Sequence, residues 1–338
     1  MNVIFGWLCA GALSLSALPV TDSTTESDPI PKPAVEAILG EFSRHPLVAI
    51  GEAHRNQQVH DFIVTLVSDP RFSQVVDDVV VEFGTARHQD IIDRYVAGES
   101  VPIQELRLVW RDTVNLLVWD APVYERFFQT IRALNQRSQG HRLRVLLADP
   151  PVDWDRIRHD DWERVASIRD EFAAALVERE VLSKRRRALL IFGSGHVTRD
   201  SVYEGPVAGR KPNLAELLAA RDPGSILLVW AHMPGWGASR LDPRLSTWRK
   251  PALATLKGTW LGARAVGPGQ SPTLEQLADS FLYLGPTRLL TTSTPSEGLY
   301  DDASYLRELL RRDQIQGGFN AKELEHLRRL HLKNQVEP

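Results

Sequence analysis

Gly51-Glu52-Ala53-His54 closes the apolar run Leu47-Val48-Ala49-Ile50 with a carboxylate and an imidazole two residues apart. Four other apolar runs end in ionisable groups. Asp78–Phe83 (DVVVEF) carries Glu82 before Phe83-Gly84, and Arg142–Ala148 (RLRVLLA) leads into Asp149-Pro150-Pro151. Ala188–Phe192 (ALLIF) leads into Gly193-Ser194-Gly195-His196, and Ser225–Trp230 (SILLVW) into Ala231-His232. Histidines mixed with carboxylates suit two kinds of hydrolysis. A divalent metal held by His54, Glu82 and His196 could lower the pKa of a bound water. Alternatively a histidine takes a proton from water while a carboxylate orients it, with no cofactor. Glu52, His54, Glu82 and His196 are the candidate catalytic residues.

The remaining members have structural readings as well. Asp149, before two prolines, could cap a turn. Glu82 could pair with a buried arginine, for example Arg111. His232 reads as a partly buried histidine bonded to backbone. His60, beside Val59 at the border of an apolar helix face, is either solvated or pointed back into the cleft that the strand ends would share. His60, Arg111, Asp149 and His232 form the candidate ligand-binding set. Glycines flank Glu52, His54 and His196 and let the backbone bend sharply or approach a ligand closely. Gly193-Ser194-Gly195 lacks the G-x-S-x-G pattern of a serine elbow, and no phosphate loop or dinucleotide fingerprint occurs. Lys184 to Arg187 ends a helix, where cations suit the dipole.

These residues need a scaffold that brings positions 52 to 232 together. The runs before them are apolar throughout and alternate with helical patterns. That predicts an α/β fold with a mainly parallel sheet, helices on both faces and right-handed crossovers. Helices are expected at 57–67, 87–97, 102–117, 122–136 with Asp120 as N-cap, 160–182, 213–220 with Asn213 as N-cap, 302–312 and 321–332. Segments 258–265 and 281–284 read as added strands. In an open sheet of this class ligands bind outside the carboxyl ends of the strands, so all five strand ends would face one cleft.

The chain of 338 residues, 43% hydrophobic, carries 40 basic and 43 acidic groups for a net charge of −3. That balance gives no reason to expect nucleic acid or an anionic membrane surface as partner; a small molecule fits better. The nine tryptophans read as large core residues. Val3 to Val20 is apolar apart from two serines and reads as a secretory signal or, near the spanning limit, a retained anchor. An exported protein, periplasmic or anchored in the cell envelope, is the expectation, with membrane contact only through this segment. Cys9, the one cysteine, follows Gly6-Trp7-Leu8, a poor lipoprotein box, and leaves the rest of the chain without thiol chemistry. Residues 21–33 (TDSTTESDPIPKP) read as a flexible polar spacer, and 34–338 as a single domain without repeats.

GEAHRNQQVHDF at 51–62, VVVEF at 79–83 and LLIFGSGHVTRD at 189–200 resemble motifs of the superfamily that joins the erythromycin esterases, the ChaN-type haem-binding lipoproteins and the Tiki/TraB proteins. The resemblance spans roughly residues 45 to 235. Gly51-Glu52-x-His54 lacks one residue that the esterases carry between glutamate and histidine, and so lies closer to the ChaN spelling. His60 and Gly193-x-Gly195-His196 are similar to ChaN motifs too. The resemblance implies either an esterase-like hydrolase or a haem- or metal-binding protein tied to iron uptake. On the esterase side Glu52 would be the orienting acid, His54 the base, Glu82 a second carboxylate and His196 a partner or substrate binder. The shortened first motif argues against a macrolide as substrate, and the poor lipoprotein box against the ChaN role.

Overall fold

The apolar runs lie side by side and the helices between them cover both sides of the resulting sheet. The computed structural model describes residues 26–199, 211–234, 238–267, 270–295, 297–318 and 320–336. Its strands are β1 Lys32–Pro33, β2 Leu47–Glu52, β3 Asp78–Thr85, β4 Arg144–Asp149, β5 Ala188–Gly193, β6 Ile226–Ala231, β7 Ala252–Thr255 and β8 Ser280–Tyr283. Across the sheet they run β1-β7-β8-β6-β2-β5-β3-β4. Strands β2 to β6 and β8 pair in parallel, while β7 is antiparallel to β8 and to β1. The α/β class with a mainly parallel sheet is therefore the fold that forms.

Side chains on a strand alternate between faces, and β2 shows why Leu47 to Ile50 must all be apolar. Val48 and Ile50 enter a core with helices Gln57–Ser68, Gln89–Ala97, Ile103–Arg111 and Pro122–Arg137. Leu47 and Ala49 enter a second core, with helices Arg169–Glu180 and Leu214–Arg221. A third apolar cluster joins Val114, Leu117 and Trp154 to helix Ala303–Ile315 and to Leu324 of helix Ala321–Val336. Asn213 caps its helix as expected, in a reciprocal pair with Glu216.

Several expectations are corrected. The strand expected at 258–265 is absent, and β7 lies earlier, at Ala252–Thr255. The helix expected over 102–117 stops at Arg111. Beyond it the Val114 N–H is taken by Asp149 Oδ2 at 2.6 Å, and Leu117 adopts a positive φ of 64°. Asp120 does not cap the next helix; Ala121 does, without a side-chain bond, because Asp120 is held by Arg111 and Tyr305. The helix expected over 160–182 breaks at Ile168 into His159–Ser167 and Arg169–Glu180. Part of the expected spacer is built into the sheet edge: β1 pairs with β7, and the Ser27 N–H donates to the Gly258 carbonyl at 3.1 Å. The apolar segment Val3–Val20 and Cys9 lie outside the described residues. Among the described residues no helix is long and apolar enough to cross a membrane.

Candidate active site

Strand order decides which sequence-distant groups meet. β5 lies between β2 and β3, and Gly193 at its end stands in register with Glu52. A glycine there leaves room for side chains from both neighbours. Glu82 Oε2 accepts the Gly193 N–H at 2.6 Å. A Cβ on Gly193 would lie 2.7 Å from His54 Cε1 and 3.2 Å from its Nε2. The imidazole of His54 thus rests directly on this glycine.

Glu52, buried, holds two histidines. Its Oε1 accepts from His54 Nδ1 at 2.9 Å and its Oε2 from His60 Nε2 at 2.8 Å. A carboxylate only accepts, so each of these nitrogens carries a proton. His54 Nε2 then presents a lone pair, and no described residue bonds it. The His54 side chain is 35% exposed, while His60 is 1% exposed. Trp119 packs edge-on against His54, with ring centres 4.7 Å apart, and Tyr124 packs against His60 at 4.8 Å.

A second charge cluster adjoins the first. Arg169 Nη2 donates to Glu82 Oε1 at 2.7 Å and its Nε to Asp149 Oδ1 at 3.0 Å. His196 lies between two carboxylates, with Nδ1 2.7 Å from Asp170 Oδ1 and Nε2 3.3 Å from Glu82 Oε1. Both groups come from one helix start, because the break at Ile168 re-aims Arg169 and Asp170 at the sheet edge.

The fields sort the groups into fixed charges and one open base. Burial would raise Glu52, but His60 and His54 overcome it and hold the carboxyl down at about 2. Burial would likewise raise Glu82, yet His196, His54 and Arg169 keep it well below the usual range. For His196 burial would lower the pKa, but Glu82 and Asp170 lift it to about 10, so the ring is an imidazolium. His54 is lowered by burial and raised by its bond to Glu52 and by Glu82; the net shift is upward. Burial dominates at Asp149 and pushes it to about 6 despite Arg169.

Five of the expected residues, Glu52, His54, His60, Glu82 and His196, meet at one place, and Asp149 joins through Arg169. His60 is buried against Glu52, which decides between its two readings. Glu82 pairs with Arg169, not Arg111. Arg111 instead donates to Asp120 at 3.2 Å, with its guanidinium 3.8 Å over the Tyr305 ring. His232 stands apart, its Nδ1 donating to the Gly285 carbonyl at 3.0 Å and its ring stacked on Tyr283; burial lowers its pKa. Sequence reading missed Arg169 and Asp170. They lie inside what reads as one continuous helix, so no local signal marks them.

No family profile matches the sequence, and no curated protein matches it. Solved structures do. A protein from Bacillus cereus aligns over 81% of this chain and 97% of its own, at 11% identity and a TM-score of 0.50. A succinoglycan biosynthesis protein aligns over the same shares, 81% and 97%, at 9% identity and 0.52. A mutant erythromycin esterase in its open conformation aligns over 76% of this chain and 94% of its own, at 12% identity and 0.52. The chain has the erythromycin-esterase fold. Identities this low speak to the fold alone.

Within this erythromycin-esterase fold the donor set does not fit a metal ion. Both Glu52 oxygens hold histidines, both Glu82 oxygens hold donors, and both His196 nitrogens face carboxylates. The arginine cation between Glu82 and Asp149 already supplies the positive charge a metal would bring. Among the described residues no group of three such donors is arranged to hold an ion.

Proposed function

We propose that the protein is a hydrolase of ester or amide bonds that uses His54 as general base and Glu52 as its orienting acid. One observation carries this reading: His54 bonds Glu52 through Nδ1 at 2.9 Å while no described residue bonds its Nε2, in a 35% exposed side chain. A water at Nε2 would lose a proton to that nitrogen as its oxygen attacks the carbonyl carbon. The same nitrogen would return the proton to the leaving alkoxide or amine as the carbon–heteroatom bond breaks. The ionised Glu52 stabilises the imidazolium formed in between. His196, already charged, lies in the field acting on His54 and adds fixed positive charge near the developing oxyanion. The apolar segment Val3–Val20 supports a place in the cell envelope.

Purified protein is expected to turn over 4-nitrophenyl esters or small peptides at a rate unchanged by EDTA. Loss of all turnover on chelation would contradict the metal-free reading. The alternative, a haem-binding protein, has one reachable imidazole nitrogen in this cluster, His54 Nε2. A Soret band on haem titration that disappears in His54→Ala, together with no turnover of any ester or peptide, would favour it.

A further inference from the structure

Directly after the proposed base, Arg55 holds a left-handed backbone with φ 66°. That conformation costs a non-glycine residue about 1 kcal/mol or more, and such strain gathers at functional sites. Two bonds fix it here: the Arg55 N–H donates to the Tyr124 hydroxyl at 2.8 Å, and its carbonyl accepts the Ser293 N–H at 2.7 Å.

Two residues further on, Gln57 lines a cavity of about 370 Å³. Asp120 lines it too, next in sequence to the Trp119 that packs on His54. Arg107 and Arg111 reach it from helix Ile103–Arg111, and Arg126 from helix Pro122–Arg137. Arg107 and Arg111 are four residues apart on one helix, a spacing at which like charges repel by about 0.2–0.5 kcal/mol. The first turn of the second helix forms another wall, and its N-cap, Ala121, has no capping side chain. That end of the helix dipole is positive.

Of the carboxylates on the same wall, Asp120 is paired with a cation, whereas Glu125, in the first turn of the second helix, meets a neutral amide and keeps its charge. Asp120 accepts from Arg111 Nε at 3.2 Å and from the Tyr305 hydroxyl at 2.6 Å, and Glu125 accepts from Gln129 at 2.8 Å. Arg126 pairs with Asp61. Arg107 has no carboxylate within ion-pair distance among the described residues.

We propose that this cavity binds an anionic group, a carboxylate or a phosphate, with Arg107 and Arg111 as its cationic wall. Resting on the hydrolase reading, this makes the substrate an ester or amide that carries such an anion beyond the bond that is cut. An anion would relieve the Arg107–Arg111 repulsion and meet Arg107, which has no carboxylate within ion-pair distance among the described residues.

The test has a binding arm and a kinetic arm, both on the full chain. Inorganic phosphate, pyrophosphate and glutarate are titrated calorimetrically at constant ionic strength. Saturable binding of at least one is expected, weakened tenfold or more in Arg107→Gln. Arg185→Gln, an exposed arginine before the opposite end of β5, controls for general charge and should bind like the parent. Binding that never saturates, or falls equally in both variants, overturns the anion site. In the kinetic arm the 4-nitrophenyl monoester of glutaric acid is compared with 4-nitrophenyl butyrate. The anionic ester is expected to have the lower KM, and Arg107→Gln to shrink that advantage about tenfold. Equal KM values overturn the role in substrate selection. Saturable binding without any hydrolysis overturns the hydrolase reading and leaves the anion site standing; hydrolysis without saturable binding does the reverse.

Discussion

Gly193 lets Glu52, His54 and Glu82 share one place. Its N–H fixes Glu82 and its bare Cα supports the His54 ring. Gly193→Ala is therefore expected to displace His54 and cut kcat by a hundredfold or more, as general base catalysis is worth about 10²–10⁴. The Tm should change far less than the rate; a parallel loss of both would show that the glycine serves the fold instead. Arg169 is a different case. Removing its charge leaves Glu82 and Asp149 buried without their cation. Arg169→Met should destabilise by about 3–5 kcal/mol in a denaturant titration. Glu52, His54, Glu82 and His196 are readable in the sequence because each ends or follows an apolar run beside glycine. Arg169 and Asp170 are not, because their role depends on a helix break that long-range contacts impose.

At the scale of elements, the segment between helices Ile103–Arg111 and Pro122–Arg137 shapes one side of the cleft by placing Trp119 on His54. It is tied down from far away. Arg312, on helix Ala303–Ile315, donates to Asp112 Oδ1 at 2.8 Å and to the Arg111 carbonyl at 2.9 Å. Gln316 donates to the Val114 carbonyl at 2.6 Å. Arg312→Leu should then speed amide exchange over residues 112–119 and raise KM, with β2 and β5 protected as before; unchanged exchange in that segment would show the tie to be idle. Sequence periodicity extends the helix to 117 because Val114, Leu117 and Val118 keep an apolar rhythm. The diverted backbone is held instead by groups distant in sequence, Asp149 on the Val114 N–H and Gln316 on its carbonyl. The five long strands were legible for the opposite reason: residues buried on both faces leave an unbroken apolar run. β1 and β7 were not, being only two and four residues long with little apolar signal of their own.

For the whole molecule, the fixed charges at the sheet edge make stability depend on pH in a defined way. Glu52 is held at about 2 against an ordinary 4.5, so its contribution is present above pH 4.5 and lost as the pH falls toward 2. That difference corresponds to on the order of 3 kcal/mol. His196 is raised from 6.5 to about 10, so its contribution is complete below pH 6.5 and lost as the pH rises through 10. Asp149 is raised from 3.8 to about 6, and its ionisation lowers stability as the pH rises across that interval. Thermal melts should show an alkaline decline from about pH 7 to 10, flattened in His196→Gln. An unchanged decline in that variant would remove His196 as its source.

The chemistry itself rests on His54. The most direct test is the pH–rate profile of ester hydrolysis for the parent, His54→Ala and Glu52→Gln, with circular dichroism and melting as fold controls. The parent rate should rise with pH through a single ionisation above the ordinary histidine value of 6.5 and then level off. Glu52→Gln should shift that ionisation downward, since the bond to Glu52 raises it, and His54→Ala should abolish turnover while remaining folded. A folded His54→Ala protein that hydrolyses the ester at the parental rate would contradict the assignment of His54 as the base.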